Sequence, residues 1–483
     1  MSYRHILVAV CVAALAVMPR GAMGAKGRDR PYLGYVLATA EAASDEQVEQ
    51  IWRLAENVLE PHDPAPGPHR LVITRATLRR LRALNISVRV ERTDVQAWID
   101  GLYREADKPT PAPQAAATFG PFFSRVRPLD SIYAYMDELA TLSQGRASVV
   151  VLGQSFQGRD IKAMRISAGA GTNRPAIIVI GTQHAREWAS PVVTMGLMDA
   201  LVRQYDSDPQ VKRVVDNLEI YINPVNNPDG YVATFNGRRL QRRNMNSECN
   251  VDLNRNYDTA WGQGVGWSCD SDTFPGAAPF SESESQAIQG LVESLARPAL
   301  LIDYHSTAAQ VMIPFAFTMT PAPNLARNRQ LCQLYSSALQ SVHGTHYPAR
   351  PGFELAQGAG GGAFDWFRAT HAESIVVELG GGAGFSISNQ QIIPFAEENF
   401  VAWLAVAQTL VDQTLSASAP TSVVGASALA GLDAVPAPAP AEQTGCAFVP
   451  QARTSTAVNG LFGLGVLVVA LALRRRRAAH RRV

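Results

Sequence analysis

The stretch Ala176-Ile-Ile-Val-Ile-Gly-Thr-Gln-His-Ala-Arg-Glu-Trp188 decides the fold of this chain. Its first five residues are all apolar, which is typical of a strand that is covered on both faces of a sheet. The run stops at Gly181, so His184 and Glu187 fall in the loop after the strand. In open parallel α/β sheets, ligands bind outside the carboxyl ends of the strands. The stretch therefore predicts an α/β fold with a ligand site at His184 and Glu187.

Three more apolar runs, at residues 218–223, 299–305 and 374–379, are expected to join this sheet. We predict a mixed, largely parallel central sheet flanked by helices. Two runs end at or next to an ionisable residue, His305 and Glu378, so four such residues would converge at one edge. Histidine nitrogens and carboxylate oxygens bind zinc, and three protein ligands plus water form a catalytic site. A lone buried histidine would favour a structural role, but four converging groups favour a metal site.

Further motifs follow in a fixed order along the chain. They are Asn227-Pro-Asp-Gly230, Asp252-Leu-Asn-Arg-Asn256, Pro275-Gly-Ala-Ala-Pro-Phe-Ser-Glu282, Tyr304-His-Ser306 and Val377-Glu-Leu379. Together with His184-x-x-Glu187 they resemble the A/B-type (funnelin) zinc metallocarboxypeptidases, across roughly residues 119–413. The histidine and glutamate pattern alone would be weak evidence, whereas the ordered set is specific.

This resemblance implies one Zn²⁺ per chain, held by His184, Glu187 and His305. A purely structural zinc is the alternative, although closed structural sites usually contain several cysteines. The family places the equivalent of Glu378 beside the zinc water as general base, where it takes a proton and passes it to the leaving amine. The alternative is a buried glutamate with a structural role.

The resemblance also implies roles for residues around the metal. Asp252 matches the carboxylate that orients His184, and Arg242 matches the arginine that stabilises the oxyanion. Asn254 and Arg255 match the clamp for the substrate's terminal carboxylate, and Arg186 and Arg239 match the outer-subsite arginines. Because Arg238, Arg239 and Arg243 are close in sequence, the oxyanion arginine could lie one or two positions from Arg242. The alternative for Arg255 is a plain surface ion pair.

The specificity of the pocket is indicated by Phe364, which precedes Asp365-Trp366. The position matches the base of the family's specificity pocket, where enzymes for basic residues tend to carry aspartate. An apolar pocket favours aliphatic or aromatic C-terminal residues, unless Phe364 fills the pocket and favours smaller ones. One departure is Gln357, which stands where the family has a mobile tyrosine. We expect that difference to affect affinity and rate more than reaction type.

The composition gives the broad class of protein. With 483 residues the chain is too long for one ordinary domain, and 47% hydrophobic residues suffice for a large core. The 43 Lys and Arg residues balance 42 Asp and Glu residues, which argues against a nucleic-acid partner. Residues 1–24, basic and then apolar, indicate a signal peptide and hence export.

Residues 25–106 alternate between strand and helix patterns, which predicts a small α+β sandwich. The segment resembles the prosegment of A/B-type carboxypeptidases; an unrelated exported accessory domain is the alternative. Residues 107–118 are rich in Pro, Ala and Thr and indicate a linker. One hypothesis is that an activating protease cuts between about Arg104 and Arg127; the other is an inert connector.

Export also permits disulfides. Cys249 and Cys269 match the positions of the disulfide in A-type members of the resembled family, across a loop of about 20 residues. Two free buried thiols are the alternative.

The C-terminal part has a different composition. Residues 414–445 are rich in Ala, Ser, Pro and Thr and indicate a disordered stalk. Residues 446–483 begin with Cys446, followed by an apolar helix of marginal transmembrane length and an arginine cluster. This order resembles the C-terminal sorting tails of exported bacterial proteins, particularly the myxobacterial type, which a processing machinery removes. A permanent single-span anchor is the alternative.

The leading hypothesis is an exported zinc carboxypeptidase, secreted or attached to the cell envelope. It would be a monomer, made as a zymogen, and would act on peptides or proteins with a free C-terminus. Two alternatives are a cell-wall peptide amidase and an inactive homologue that only binds.

Overall fold

The computed structural model describes residues 28–59, 66–108, 119–169, 173–356, 358–381 and 385–418. The predicted signal peptide, Gln357, most of the predicted linker and the C-terminal tail lie outside these ranges. Within them, no helix has the length and apolarity that crossing a membrane requires.

The N-terminal domain is a small α+β unit, as predicted. Its antiparallel sheet, four-stranded within the described residues, has the order β2-β3-β1-β4. Ser44, Thr74 and Asp94 cap its helices through side-chain oxygens, which accept from otherwise unpaired amide groups. The elements are β1 (Tyr35–Ala42), α1 (Asp45–Leu54), β2 (Asn57–Val58), β3 (Gly67–Thr74), α2 (Arg75–Ala83), β4 (Ser87–Arg92) and α3 (Val95–Asp107).

The second domain is built on a mixed sheet, which confirms the predicted fold class. In the described part of the chain this sheet has eight strands, in the order β11-β10-β12-β9-β7-β8-β6-β5. The strands are β5 (Ala147–Gln154), β6 (Asp160–Ile166), β7 (Ala176–Gly181), β8 (Glu219–Asn223), β9 (Pro298–Ser306), β10 (Gln310–Ile313), β11 (Ala349–Pro351) and β12 (Glu373–Leu379). The four apolar runs form the adjacent parallel strands β12, β9, β7 and β8.

Helices cover both faces of this sheet. On one face α12 packs against α5, α6 and α9, and on the other α8 contacts β5 and α11 contacts β12. The helices are α4 (Leu129–Leu142), α5 (Ala189–Arg203), α6 (Pro209–Asn217), α7 (Pro228–Phe235), α8 (Ser283–Ser294), α9 (Leu325–His343), α10 (Gly352–Ala356), α11 (Ala363–Thr370) and α12 (Ile392–Ser418). Short 3₁₀ turns span Pro121–Ser124, Leu253–Arg255 and Asn389–Gln391. Helix α12 runs five residues past the predicted boundary at residue 413.

Strand register brings the ionisable residues together at one edge. His305 pairs with Glu378 across β9 and β12, and Gly181 at the end of β7 pairs with Tyr304. Because β7, β9 and β12 are parallel, their carboxyl ends meet at the same edge of the sheet. The loop that carries His184 therefore begins beside His305.

Candidate active site

A sharp turn after β7 positions the first two candidate ligands. Thr182 adopts a left-handed conformation with φ of 58°, and its amide donates to Ser190 Oγ at 2.8 Å. The amide of Glu187 then donates to the carbonyl oxygen of His184 at 3.1 Å. These bonds fold the loop back on itself, so the His184 and Glu187 side chains face one point.

Three candidate metal ligands converge at that point. His184 Nδ1 lies 2.8 Å from Glu187 Oε1, and His305 Nδ1 lies 3.0 Å from His184 Nδ1 and 3.1 Å from Glu187 Oε2. The ligand atoms lie within 4.8 Å of one another, and all three side chains are buried. Two imidazole nitrogens and one carboxylate match a zinc site with an open fourth position. Burial alone would raise the pKa of Glu187, but the two histidines hold it well below its usual range.

Asp252 connects His184 to Arg242. Asp252 Oδ1 lies 3.0 Å from His184 Nε2, while Oδ2 accepts from Arg242 Nη2 at 2.7 Å and Nε at 3.1 Å. Burial opposes ionisation of Asp252, yet the Arg242 and His184 charges hold its pKa well below the ordinary value. The carboxylate therefore has the position from which it would orient His184, and Arg242 lies next to the metal ligands.

A second buried carboxylate, Asp303, contacts His305. It was not predicted from the sequence. Its Oδ2 lies 3.0 Å from His305 Nε2 and accepts from Gln183 Nε2 at 2.6 Å. Asp303 precedes His305 by two residues in β9, so both side chains lie on the same face of the strand. That spacing was the signal that could have revealed it.

Glu378, Asn254 and Arg255 line one pocket together with His184. Burial raises the pKa of Glu378 to about 8. Asn254 Oδ1 accepts from the amide of Ala363 at 2.9 Å, and Arg255 Nη1 donates to the carbonyl oxygen of Asn254 at 2.6 Å. Arg255 Nε has no hydrogen-bond partner in the described part of the chain. One donor of this buried guanidinium therefore has no partner among the described residues.

Arg186 and Arg239 form a separate pair beneath the N-terminal domain. Arg186 Nη2 donates to the carbonyl oxygen of Val58 in β2 at 3.1 Å, and Nη1 lies 3.5 Å from Asp272. Arg239 Nη1 donates to the carbonyl oxygen of Arg186 at 2.8 Å, and its guanidinium stacks 3.8 Å from the Trp188 ring. Burial lowers the pKa of each arginine to about 10. The N-terminal domain thus occupies the neighbourhood predicted for an outer subsite.

The predicted cysteine pair is joined in the structure. Cys249 and Cys269 form a disulfide, with Cα atoms 5.2 Å apart. The bridge closes the loop that contains Asp252, Asn254 and Arg255.

A site of two histidines and one glutamate, with a second glutamate and an arginine in the adjoining pocket, defines a metal-dependent hydrolase. The family model for zinc carboxypeptidases matches residues 132–402. The chain therefore belongs to the zinc carboxypeptidase family and is a metallocarboxypeptidase.

Relatives from animals and fungi support this assignment. The chain is 31% identical over 407 residues to carboxypeptidase A1 of Mus musculus, which covers 80% of this chain and 94% of the mouse protein. It is 33% identical over 293 residues to metallocarboxypeptidase A of Trichophyton equinum, covering 58% and 69% of the two chains. The crystal structure of carboxypeptidase A from Helicoverpa armigera aligns with a TM-score of 0.67 at 25% identity, covering 81% of this chain and all of that one.

Proposed function

We propose that this protein is an exported zymogen of a zinc carboxypeptidase, which removes uncharged, apolar C-terminal residues with Glu378 as general base. The observation that carries the proposal is the shared pocket, because Glu378 and Arg255 line the same cavity as the metal ligand His184. An exopeptidase needs a proton-transfer group and a carboxylate receptor in the pocket that adjoins the metal.

Each side chain has a role that follows from its surroundings. Zinc, when bound, polarises the scissile carbonyl and lowers the pKa of water. Glu378, which lines the same pocket as His184, would take a proton from the attacking water and pass it to the leaving amine. Arg242 lies 4.0 Å from Glu187 Oε1 and supplies a buried positive charge where the oxyanion would develop.

The proposed receptor for the terminal carboxylate is Arg255 with Asn254. A guanidinium suits a carboxylate because its donors match the two oxygens. Arg255 keeps its buried Nε without a partner among the described residues, so a substrate carboxylate would satisfy that donor. Arg186 and Arg239 are proposed to contact the peptide further from the cleaved bond.

The proposed inhibitory role of the N-terminal domain rests on Arg186. Its bond to Val58 would prevent this arginine from contacting a peptide until the domain leaves. Tyr32 strengthens the docking, because its hydroxyl accepts from the amide of Leu240 at 2.8 Å. An activating protease would cut the linker. Export and attachment through the tail remain proposals from residues 1–24 and 446–483.

The test is mass spectrometry of a defined peptide mixture after incubation with the trypsin-trimmed, zinc-loaded protein. We expect stepwise loss of apolar C-terminal residues from free peptides and none from C-terminally amidated ones. Glu378→Gln should lower the rate by about 10²- to 10⁴-fold with zinc content unchanged. Glu373→Gln, at the start of the same strand, is the matched control and should retain activity.

Three outcomes would contradict separate parts of the proposal. Equal activity of full-length and trimmed protein would contradict the zymogen, and full activity of Glu378→Gln would contradict the general base. Trimming of only basic or acidic C-terminal residues would contradict the apolar pocket.

A further inference from the structure

The pocket that Arg255 lines is small, and much of its lining is apolar. Six of its lining residues are uncharged side chains on β10, β12, α10, α11 and the loops between them: Met312, Ala316, Ala356, Ala359, Phe364 and Val376. Within this pocket, the space that the centre of a water-sized sphere can reach is about 30 Å³. One water needs roughly 10–15 Å³ on this measure, so the pocket admits two or three atoms of that size.

Phe364 has the largest side chain among the apolar residues that line the pocket. Its side chain is only 3% exposed and packs in one cluster with Met312, Ala316 and Val376. A Cβ atom built on Gly362 would lie 3.6 Å from the Phe364 ring and 3.5 Å from Asn254 Oδ1. The ring therefore lies beside the proposed carboxylate clamp and takes up space where a long substrate side chain would enter.

The backbone around Phe364 fixes the ring in place. The residue is in the first turn of α11, and its carbonyl oxygen accepts from Ser374 Oγ at 2.8 Å, which ties the helix to the following strand. Interiors packed in this way transmit strain and do not open to admit extra atoms at little energy.

Besides Glu378, the pocket contains the carboxylate of Asp365, which is not placed to select a positive charge. The amide of Ala316 donates to Oδ1 at 3.1 Å and to Oδ2 at 3.2 Å. Both oxygens are therefore used by the backbone. Selection depends on volume instead.

We infer that Phe364 restricts this enzyme to small apolar C-terminal residues such as alanine, and disfavours leucine and phenylalanine. The inference rests on the proposed function, because it assigns this pocket to the C-terminal side chain. A benzyl group has seven carbon atoms, which exceeds the two or three atoms for which there is room. In a hydrophobic pocket, one methylene group that does not fit typically changes kcat/KM by roughly 10- to 200-fold.

The test uses four blocked dipeptides that differ only in a C-terminal Ala, Val, Leu or Phe, and measures kcat/KM with trimmed, zinc-loaded enzyme. For the wild type we expect kcat/KM to fall in that order, with Ala above Phe by at least about 10-fold. Phe364→Ala should raise kcat/KM for the Phe substrate by about 10-fold or more relative to the Ala substrate. Phe367→Ala is the matched control, because it removes a buried ring from the same helix at a position that does not line the pocket.

The ranking by the wild type tests the inference even if a variant fails to fold. Equal or better cleavage of the Phe or Leu substrate by the wild type would overturn the inference alone and leave the carboxypeptidase in place. The same change of ranking in Phe367→Ala would also overturn it, because looser helix packing would then be the cause. Cleavage of none of the four substrates would overturn the proposed function, and the inference with it.

Discussion

The two ends of the active site are built on opposite physical principles. At the metal end, His184 lies at hydrogen-bond distance from both Glu187 and Asp252, so each of these buried carboxylates has an imidazole neighbour. At the pocket end, about Phe364, the lining is mostly apolar and the adjacent carboxylate, Asp365, accepts from the backbone amide of Ala316. The metal end depends on paired charges, and the pocket end depends on volume.

The pKa values show the same contrast. Neighbouring charges hold the pKa of Glu187 and Asp252 well below the ordinary range despite full burial. Burial raises the pKa of Asp365 to about 7, because its hydrogen bonds from the Ala316 and Phe317 amides do not offset the lost hydration. At Glu187 and Asp252 the neighbouring charges outweigh burial, whereas at Asp365 the charge of Arg255 and the backbone amides do not.

The largest expected effect follows from removing a ligand at the metal end. His184→Ala should abolish stoichiometric zinc binding and reduce activity below detection, because two protein ligands do not hold the ion in a catalytic geometry. The measurement is metal content of the purified protein, together with activity. His343→Ala removes an exposed histidine that pairs with Glu397 and should leave both unchanged. Retention of one zinc per chain in His184→Ala would contradict the assigned ligand set.

A smaller effect is expected for the carboxylate that contacts the second histidine. Asp303→Asn should weaken zinc affinity by about 10- to 100-fold, because carboxylates that hold metal-ligating histidines have effects of this size. Competition with a chromophoric chelator measures the affinity, with exposed Asp258→Asn as control. A lower melting temperature with unchanged affinity would mean that Asp303 stabilises the fold and does not position His305.

The smallest effect is at the pocket end and concerns stability alone. The folded chain keeps a proton on Asp365 up to about pH 7, whereas the unfolded chain releases it near the usual pKa of 3.8. The stability contributed by this group therefore falls as the pH rises from about 4 to about 7. Relative to wild type, the free energy of unfolding of Asp365→Asn should rise over that window, by about 1.4 kcal/mol per pKa unit.

Urea unfolding of the zinc-loaded chain at pH 5 and pH 8 measures this difference. Asp137→Asn, at an exposed position of α4, serves as the control. A constant difference between Asp365→Asn and wild type at the two pH values would show that burial does not raise the pKa of Asp365, and the contrast between the two ends would fail.

The sequence predicted the metal end better than the pocket end for a physical reason. The ligands His184, Glu187 and His305 end or follow apolar strands, and parallel strands must bring such positions together. Asp303 was missed because it lies inside an apolar run. The alternation of side chains along a strand, which places Asp303 and His305 on the same face, would have revealed it. From the sequence, Phe364 could either line an apolar pocket for large residues or fill the pocket itself. The amino-acid type at this position does not show how much space the neighbouring side chains leave. The contact between Arg186 and Val58 joins residues 128 positions apart, and no local pattern predicts it.

The pairing of β9 with β12 makes the active site sensitive to chain length. His305 and Glu378 are direct partners in the parallel ladder. Adding or deleting one residue within either strand would shift the pairing by about 3.3 Å and turn the side chains to the opposite face. Related sequences should therefore differ in length mainly in the loops between strands. Strands β9 and β12 should keep their lengths even where their apolar residues are substituted.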